Sequence, residues 1–430
     1  MAVIELDLDA PPEPPAELPA HRYRWAALAA VAALLLTLGG AAPAVSVLWR
    51  PLGTIPLDGQ GWWTVAGDRV YTLNDAEVQA WRVSATSLAR DWAVTLPGAQ
   101  ATADARIYIG GRLIVTGDAL VAQTSDFTAS VLDPESGRLR WRSPSPVEQV
   151  MHGVGLSRRT TFRPGTEYDQ DSGDPGELYV SDDGIPHIEP PMRTDLRGTD
   201  LNTGRELWNL RAAGSVFTTS AGGVVLMIAS DRIALIDPRT GAIRQERPVK
   251  GLTWGRTIGD LVLVRQGDRM LAYDAHTLEP RWQAPGGLPD DDADVGYCEN
   301  LVCRPTDDGM EVLDEATGAV RWRAAPKASL RGSGDDVLES DTLTQTPWRL
   351  LDRRTGELRT SLAHWQTVVQ GDGMILSRWE AGAGSRVFAV ARNGAVQPLG
   401  RADPGSQDCR GNEPIVSCRN GNGIDFFAYR

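Results

Sequence analysis

Four cysteines and two acid-rich loops are the residues of this chain with the strongest claim to chemistry. The cysteines form two close pairs, Cys298-x4-Cys303 and Cys409-x8-Cys418. Neither spacing is the CxxC of a zinc or thiol-redox site. Beyond residue 50 the only histidines are His152, His187, His276 and His364, none within twenty residues of a cysteine. An even set of cysteines without nearby histidine points to two structural disulfides and not to a metal centre. In the loop 167–177, EYDQDSGDPGE, the carboxylates Asp169, Asp171 and Asp174 have a spacing that suits Ca2+. An EF-hand loop, however, needs Asp or Asn at position five and Gly at six, and here Gly173 precedes Asp174. A solvated acidic loop is therefore expected, and the run 289–294 reads the same way. The chain holds no GxSxG, HExxH, GxGxxG, phosphate-binding loop or SxxK. No catalytic, cofactor-binding or metal-binding residue is assigned, and a non-enzymatic protein is expected.

The composition narrows the class. Of 430 residues, 42% are hydrophobic and 23% charged, with 43 Lys+Arg against 56 Asp+Glu for a net charge of −13. That excludes a disordered chain or a disulfide-dense miniprotein, and the acidic balance argues against nucleic acid as a partner. Residues 1–24 begin with an acidic, Pro-rich stretch that reads as a disordered tail. Next, Arg22, Arg24 and Trp25 precede an uncharged run from Ala26 to Leu48, closed by Trp49 and Arg50. At about 1.5 Å per residue this run is long enough to cross a bilayer core of about 30 Å. The expectation is one transmembrane anchor over 25–49, with Trp25 and Trp49 as interfacial aromatics and the arginines favouring a cytoplasmic amino terminus. A cleaved signal peptide, with an apolar core over 26–38 and Ala42-Pro43-Ala44 as its cleavage site, is the competing reading; the long acidic leader counts against it. Under both readings residues 50–430 are exported.

An internal repeat then organises the rest. LDPESGRLRW (132–141), TDLNTGRELW (199–208) and LDEATGAVRW (313–322) share an Asp, a Gly four residues later, and a Trp four residues after that. YDAHTLEPRW (273–282) has Leu278 in place of Gly; IDPRTGAIRQ (236–245) and LDRRTGELRT (351–360) lose the Trp. Degenerate copies surround Leu88 and Gly394. The turn positions 88, 137, 204, 241, 278, 318, 356 and 394 are separated by 49, 67, 37, 37, 40, 38 and 38 residues. Asp nucleates the turn, Gly supplies the left-handed residue of a type I turn with a G1 bulge, and the flanks are short β-branched strands. A unit of about 38 residues with four strands is the size of one propeller blade.

The pattern A-x-D-x-x-T-G-x-x-x-W, met from Asp200 to Trp208 and by Ala272 and Asp274, resembles the docking motif of quinoprotein-type (PQQ-like) β-propellers. The resemblance implies an all-β propeller of about eight four-stranded blades. It also implies that Trp92, Trp141, Trp208, Trp282 and Trp322 pack between neighbouring blades. Quinone-dependent dehydrogenases of this type carry adjacent cysteines under the cofactor, and this chain has none. The segment 53–57 is expected to close the ring against the last strands. Cys298–Cys303 and Cys409–Cys418 are each expected to staple two neighbouring strands. The insertion at about 156–197, within the 67-residue interval, is the expected place of partner contact. The function expected is a membrane-anchored extracytoplasmic scaffold binding proteins or envelope components; a small-ligand sensor or carrier, or a quinone-dependent enzyme, is the alternative.

Overall fold

Short β-branched segments punctuated by Gly and Asp every few residues cannot make long helices, and the chain answers with hairpins. The computed structural model describes residues 49–430 except 59–60, 85, 98–110, 170, 172, 174–175, 183, 287–297, 307–308, 368–373, 381–384, 403–406, 413–414, 422 and 430. The expected tail and the expected anchor up to residue 48 lie outside the described residues. Among the described residues no helix is long and apolar enough to cross a membrane.

The strands form nine consecutive antiparallel sheets, the blades of a propeller, where eight were expected. Blades 1 to 5 span 62–95, 112–143, 149–213, 216–248 and 252–285, and blades 6 to 8 span 303–323, 328–361 and 366–402. Blade 9 combines Gln407–Asn412, Ile415–Asn420 and Gly423–Ala428 with Arg50–Pro56 from the other end of the described chain. Its outermost strand thus comes before the first repeat in sequence. The hairpin turn that joins the third and fourth strands of the other four-stranded blades does not exist here, and a count of turns misses the ninth blade. The closing strand contains most of the expected segment 53–57.

Blade 6 departs from the four-stranded expectation in a second way. It keeps three strands, while the short segment Cys298–Glu299 runs parallel to Ala328–Ser333 and makes blade 7 five-stranded. Burial grades radially within a blade. The second strand of blade 4, Val224–Ala229, is buried throughout, whereas its outermost strand, Ile243–Pro248, is almost wholly exposed. Interior strands are covered on both faces by adjacent blades, so the core is a series of clusters lying between sheets.

Each Asp–Gly turn is held the same way. Gly137 N–H donates to Asp133 O at 2.8 Å, Asp133 N–H donates to Arg138 O at 2.9 Å, and Gly137 sits at φ +70°. One carboxylate oxygen of the Asp accepts the N–H groups two and three residues on, in six copies from Asp133 to Asp352. In five of these copies the other oxygen is taken by the arginine seven residues later: Asp133–Arg140, Asp237–Arg244, Asp274–Arg281, Asp314–Arg321 and Asp352–Arg359. Only Asp200 lacks this partner, because Leu207 stands there.

This clasp has a pH signature. Arg140 and then Ser136 hold the Asp133 carboxyl down to about 2, and Arg244 does the same for Asp237. At Asp352 the Thr355 N–H leads and Arg359 follows, again to about 2. Arg281 holds Asp274 well below the usual carboxylate range. A carboxylate depressed in the folded state stabilises it fully above the unfolded value near 3.8, and the stabilisation is lost as pH falls through the folded value. The melting temperature is therefore expected to hold above about pH 5 and to fall steeply between about pH 4 and 2. Asp→Asn changes at 133, 237 and 352 together should flatten that fall; an unchanged acid profile would show that the turns do not carry it.

The seams between blades are where the repeated tryptophans lie. Each packs its ring on the turn glycine of the next blade and donates its indole N–H to a carbonyl of that turn. The pairs are Trp92 with Gly137 and Pro134 O, Trp141 with Gly204 and Leu201 O, and Trp208 with Gly241 and Pro238 O. Trp282 meets Gly318 and Glu315 O, and Trp322 meets Gly356 and Arg353 O. A Cβ on any of these five glycines would come within 2.5–2.8 Å of the ring. Where the Trp is missing, arginine replaces it. Arg359 lies against Gly394, bridges Asp352 and Asp336, and leaves Thr360 to donate to Gly394 O at 2.6 Å. The closing seams use other aromatics. Trp49, read above as an interfacial residue, stacks between Phe388 of blade 8 and Phe427 of blade 9 and donates to Arg401 O at 2.8 Å. Trp63 of blade 1 lies under Arg410 and Arg419 of blade 9 and donates to Ser417 Oγ at 2.9 Å.

Candidate interaction face

The Asp–Gly turns all stand at one face of the ring, which is also where Arg50 begins the closing strand. The connections between second and third strands stand at the opposite face. In most blades these connections are short, such as Ser230-Asp231 in blade 4. In blade 3 the strands Val154–Thr161 and Arg193–Asp200 pair over all eight positions, and the chain between them, 162–192, leaves the sheet. The expected insertion therefore starts and ends inside regular strands, and its free part projects from the face opposite the turns.

This excursion has its own small core. Tyr179–Val180 pairs with Pro186–His187, and Glu167 bridges to His187. The His187 ring is buried and stacks on Phe162, with centroids 3.8 Å apart and planes 2° from parallel. Thr166 donates its hydroxyl to Arg163 O at 2.9 Å, so its oxygen is left to accept from His187 Nδ1 at 3.0 Å. Asp182 accepts from the backbone N–H and hydroxyl of Thr160, tying the hairpin back to blade 3. Gly184 lies against the ring of Phe127, where a Cβ would come within 2.5 Å, and so seats the insertion on blade 2. Met192 N–H donates to Thr161 O, and Gly214 N–H donates to Met192 O, at the start of the path into blade 4.

Large apolar side chains are nevertheless left in solvent here. Val180, Ile188 and Met192 are 39%, 49% and 50% exposed, and Phe217, on the innermost strand of blade 4 at the same end, is 41% exposed. The sequence reading pointed to this segment by its length alone; its exposed apolar residues are separated by acids and prolines and form no periodic signal.

The other singled-out residues fall elsewhere. Cys409 and Cys418 are disulfide-bonded and face one another in register across the first two strands of blade 9. Cys298 and Cys303 are also bonded, but Cys298 belongs to the segment paired with blade 7, so this bridge joins that segment to blade 6. Asp169 caps the N–H of Asp171 at 3.0 Å and Tyr168 donates to Gly173 O; Asp174 and all of 289–294 lie outside the described residues. Among the described residues no group of three or more His, Cys, Asp or Glu is arranged to hold a metal ion. What sequence reasoning missed is the arginine of the Asp–Arg clasp, which the recurrent D-x6-R spacing would have revealed.

Comparison with solved structures finds BamB from Moraxella catarrhalis, at 12% identity over 89% of this chain and 98% of that one, with a TM-score of 0.45. The computationally designed Ika8 protein aligns at 16% identity over 74% and 95%, with a TM-score of 0.44. Sqt1 of Saccharomyces cerevisiae aligns at 10% identity over 84% and 93%, with a TM-score of 0.43. No curated protein matches the chain. The family model described as outer membrane protein assembly factor BamB matches residues 46–159 and 193–325, passing over the excursion from blade 3. That match covers more than half of the sequence, and the chain belongs to this family of propellers.

Proposed function

We propose that this chain is a membrane-anchored, extracytoplasmic scaffold that binds other proteins or envelope components and performs no catalysis itself. The observation that carries the reading is the preorganised excursion 162–192, which presents exposed apolar side chains on the face away from the start of the closing strand. Exposed apolar groups on a rigid support suit recognition. Membership of a family described by an assembly factor supports the same class of role. Export agrees with two disulfides, which persist in oxidising compartments, and with the uncharged run Ala26–Leu48.

A photo-crosslinking side chain placed at Ile188 in intact membranes is expected to capture a protein partner. The same group at Leu358, on an outermost strand, is expected to capture little. No capture from either face would refute the scaffold reading. Topology has its own test, because the chain holds only two lysines, Lys250 and Lys327, and both are exposed. A membrane-impermeant amine reagent applied to intact cells should label both and leave the amino-terminal amine of Met1 untouched. The reverse pattern would place the propeller in the cytoplasm.

A further inference from the structure

We propose that the excursion 162–192, with the adjoining Phe217, is a docking surface for a cationic polypeptide segment that carries apolar side chains. This rests on the scaffold reading and names the chemistry of its partner. Four of the large exposed hydrophobics, Val180, Ile188, Met192 and Phe217, stand at the same end of blades 3 and 4. They rise from a support that is already ordered, held by Asp182 on Thr160, Gly184 on Phe127 and His187 on Phe162. Such preorganisation lowers the entropy cost of binding, and Met and aromatic side chains adapt well to an apolar partner.

Charge selects the occupant. Residues 162–192 contain eight acidic side chains and a single arginine, so this short stretch supplies seven of the chain's thirteen net negative charges. That arginine, Arg163, is paired with Glu189. At the base, Asp195 pairs with both Arg193 and Arg211, Arg158 pairs with Glu148, and Arg159 is exposed opposite Asp195, so the negative charge is that of the excursion itself. Glu167, Asp171 and Glu177, on the same excursion as the apolar side chains, remain exposed. A surface of this sign repels nucleic acid, anionic lipid and acidic proteins, and attracts lysine- and arginine-bearing segments. The family model's two matches leave out 160–192, while Phe217 lies within the second of them.

The full-length chain in nanodiscs of zwitterionic lipid would be titrated with an amphipathic lysine–leucine peptide, a lysine–serine peptide and a glutamate–leucine peptide. The first should bind, with affinity falling on added salt, and the other two should bind at least about tenfold more weakly. The triple variant Ile188→Ser, Met192→Ser, Phe217→Ser should also lose about tenfold in affinity for the lysine–leucine peptide while keeping the parent's circular dichroism spectrum, since each side chain is at least four-tenths exposed. Equal binding of the lysine–serine peptide, or undiminished binding by the variant, overturns the proposal. In intact membranes, carbodiimide coupling of insertion carboxylates to partner lysines, with the coupled segment sequenced, gives the second readout. A coupled segment that is cationic and bears apolar residues supports the docking surface. Partners captured only on other parts of the propeller refute this surface and leave the scaffold reading intact; no partner anywhere refutes both.

Discussion

Trp208→Ala is expected to destabilise the propeller by about 3–5 kcal/mol, the range found for truncating large buried aromatics. Trp208 is 8% exposed and sits in a cluster shared by blades 3 and 4, with Met151, Leu196, Val225 and Ile236. Its indole N–H satisfies Pro238 O at 2.9 Å, and its ring covers Gly241 on one side and Gly198 on the other. A Cβ at Gly198 would come within 2.2 Å of the ring, so this copy has Gly where Val131, Ala272 and Val312 stand opposite the tryptophans of other blades. Truncation would empty the seam and orphan a carbonyl at once. Trp282, only half-buried in the equivalent position, should cost less when replaced, roughly 2–3 kcal/mol. Gly241→Val should approach the Trp208 effect from the other side, because its Cβ would meet the ring at 2.5 Å and φ is +70°. Denaturant midpoints followed by tryptophan fluorescence and far-ultraviolet circular dichroism would rank the variants. A Trp208→Ala midpoint unchanged from the parent would refute the docking role.

The repeat was legible because its parts are local. Asp, Gly and Trp lie within nine positions of each other, and each acts through a turn or a seam that recurs. Blade 9 was not legible, because its outermost strand and its other three strands lie at opposite ends of the chain and share no turn. The pairing of Cys298–Glu299 with blade 7 is likewise set by backbone geometry between blades, with no residue pattern to announce it. Trp49 shows how one residue can satisfy two readings. It closes an uncharged run, yet its ring is held between Phe388 and Phe427. The excursion from blade 3 was visible as an anomalous interval, but which of its side chains are buried depends on Phe162, Phe127 and Thr160, all of which lie outside the acidic loop 167–177. His187 is the clearest case: a lone histidine in sequence, and the buried centre of the excursion in space.

The two exceptions to the glycine rule lead to a second large effect. Gly is needed at the turn only where the preceding blade brings a Trp against it. Blade 4 brings Gln245, which is exposed, and the following turn carries Leu278 at φ +54°, buried to 1% among Leu226, Val262 and Tyr273. The other exception, Leu88, differs: it begins the outermost strand of blade 1 without a positive φ and packs, partly buried, in the cluster that holds Leu52 and Ile55 of the closing strand. Leu278 thus buries an apolar side chain at a seam that has no tryptophan, and Arg247 donates to Leu278 O at 2.7 Å, a carbonyl three residues beyond the one the indoles reach in the other turns. Leu278→Gly is expected to relieve the left-handed strain, worth about 1 kcal/mol, but to leave a cavity costing about 2–5 kcal/mol, for a net loss of roughly 3 kcal/mol. Gln245→Trp alone should gain nothing, since the ring has no glycine to rest on and Leu278 occupies its place. Together the two changes rebuild the seam found between blades 3 and 4. The double variant should recover at least about 1 kcal/mol relative to the sum of the single ones, a coupling that neighbouring residues show and distant ones do not. Strict additivity in a double-mutant cycle would mean that Leu278 and the missing tryptophan are unrelated, and that the glycine at the five tryptophan-docked turns is there for its φ alone.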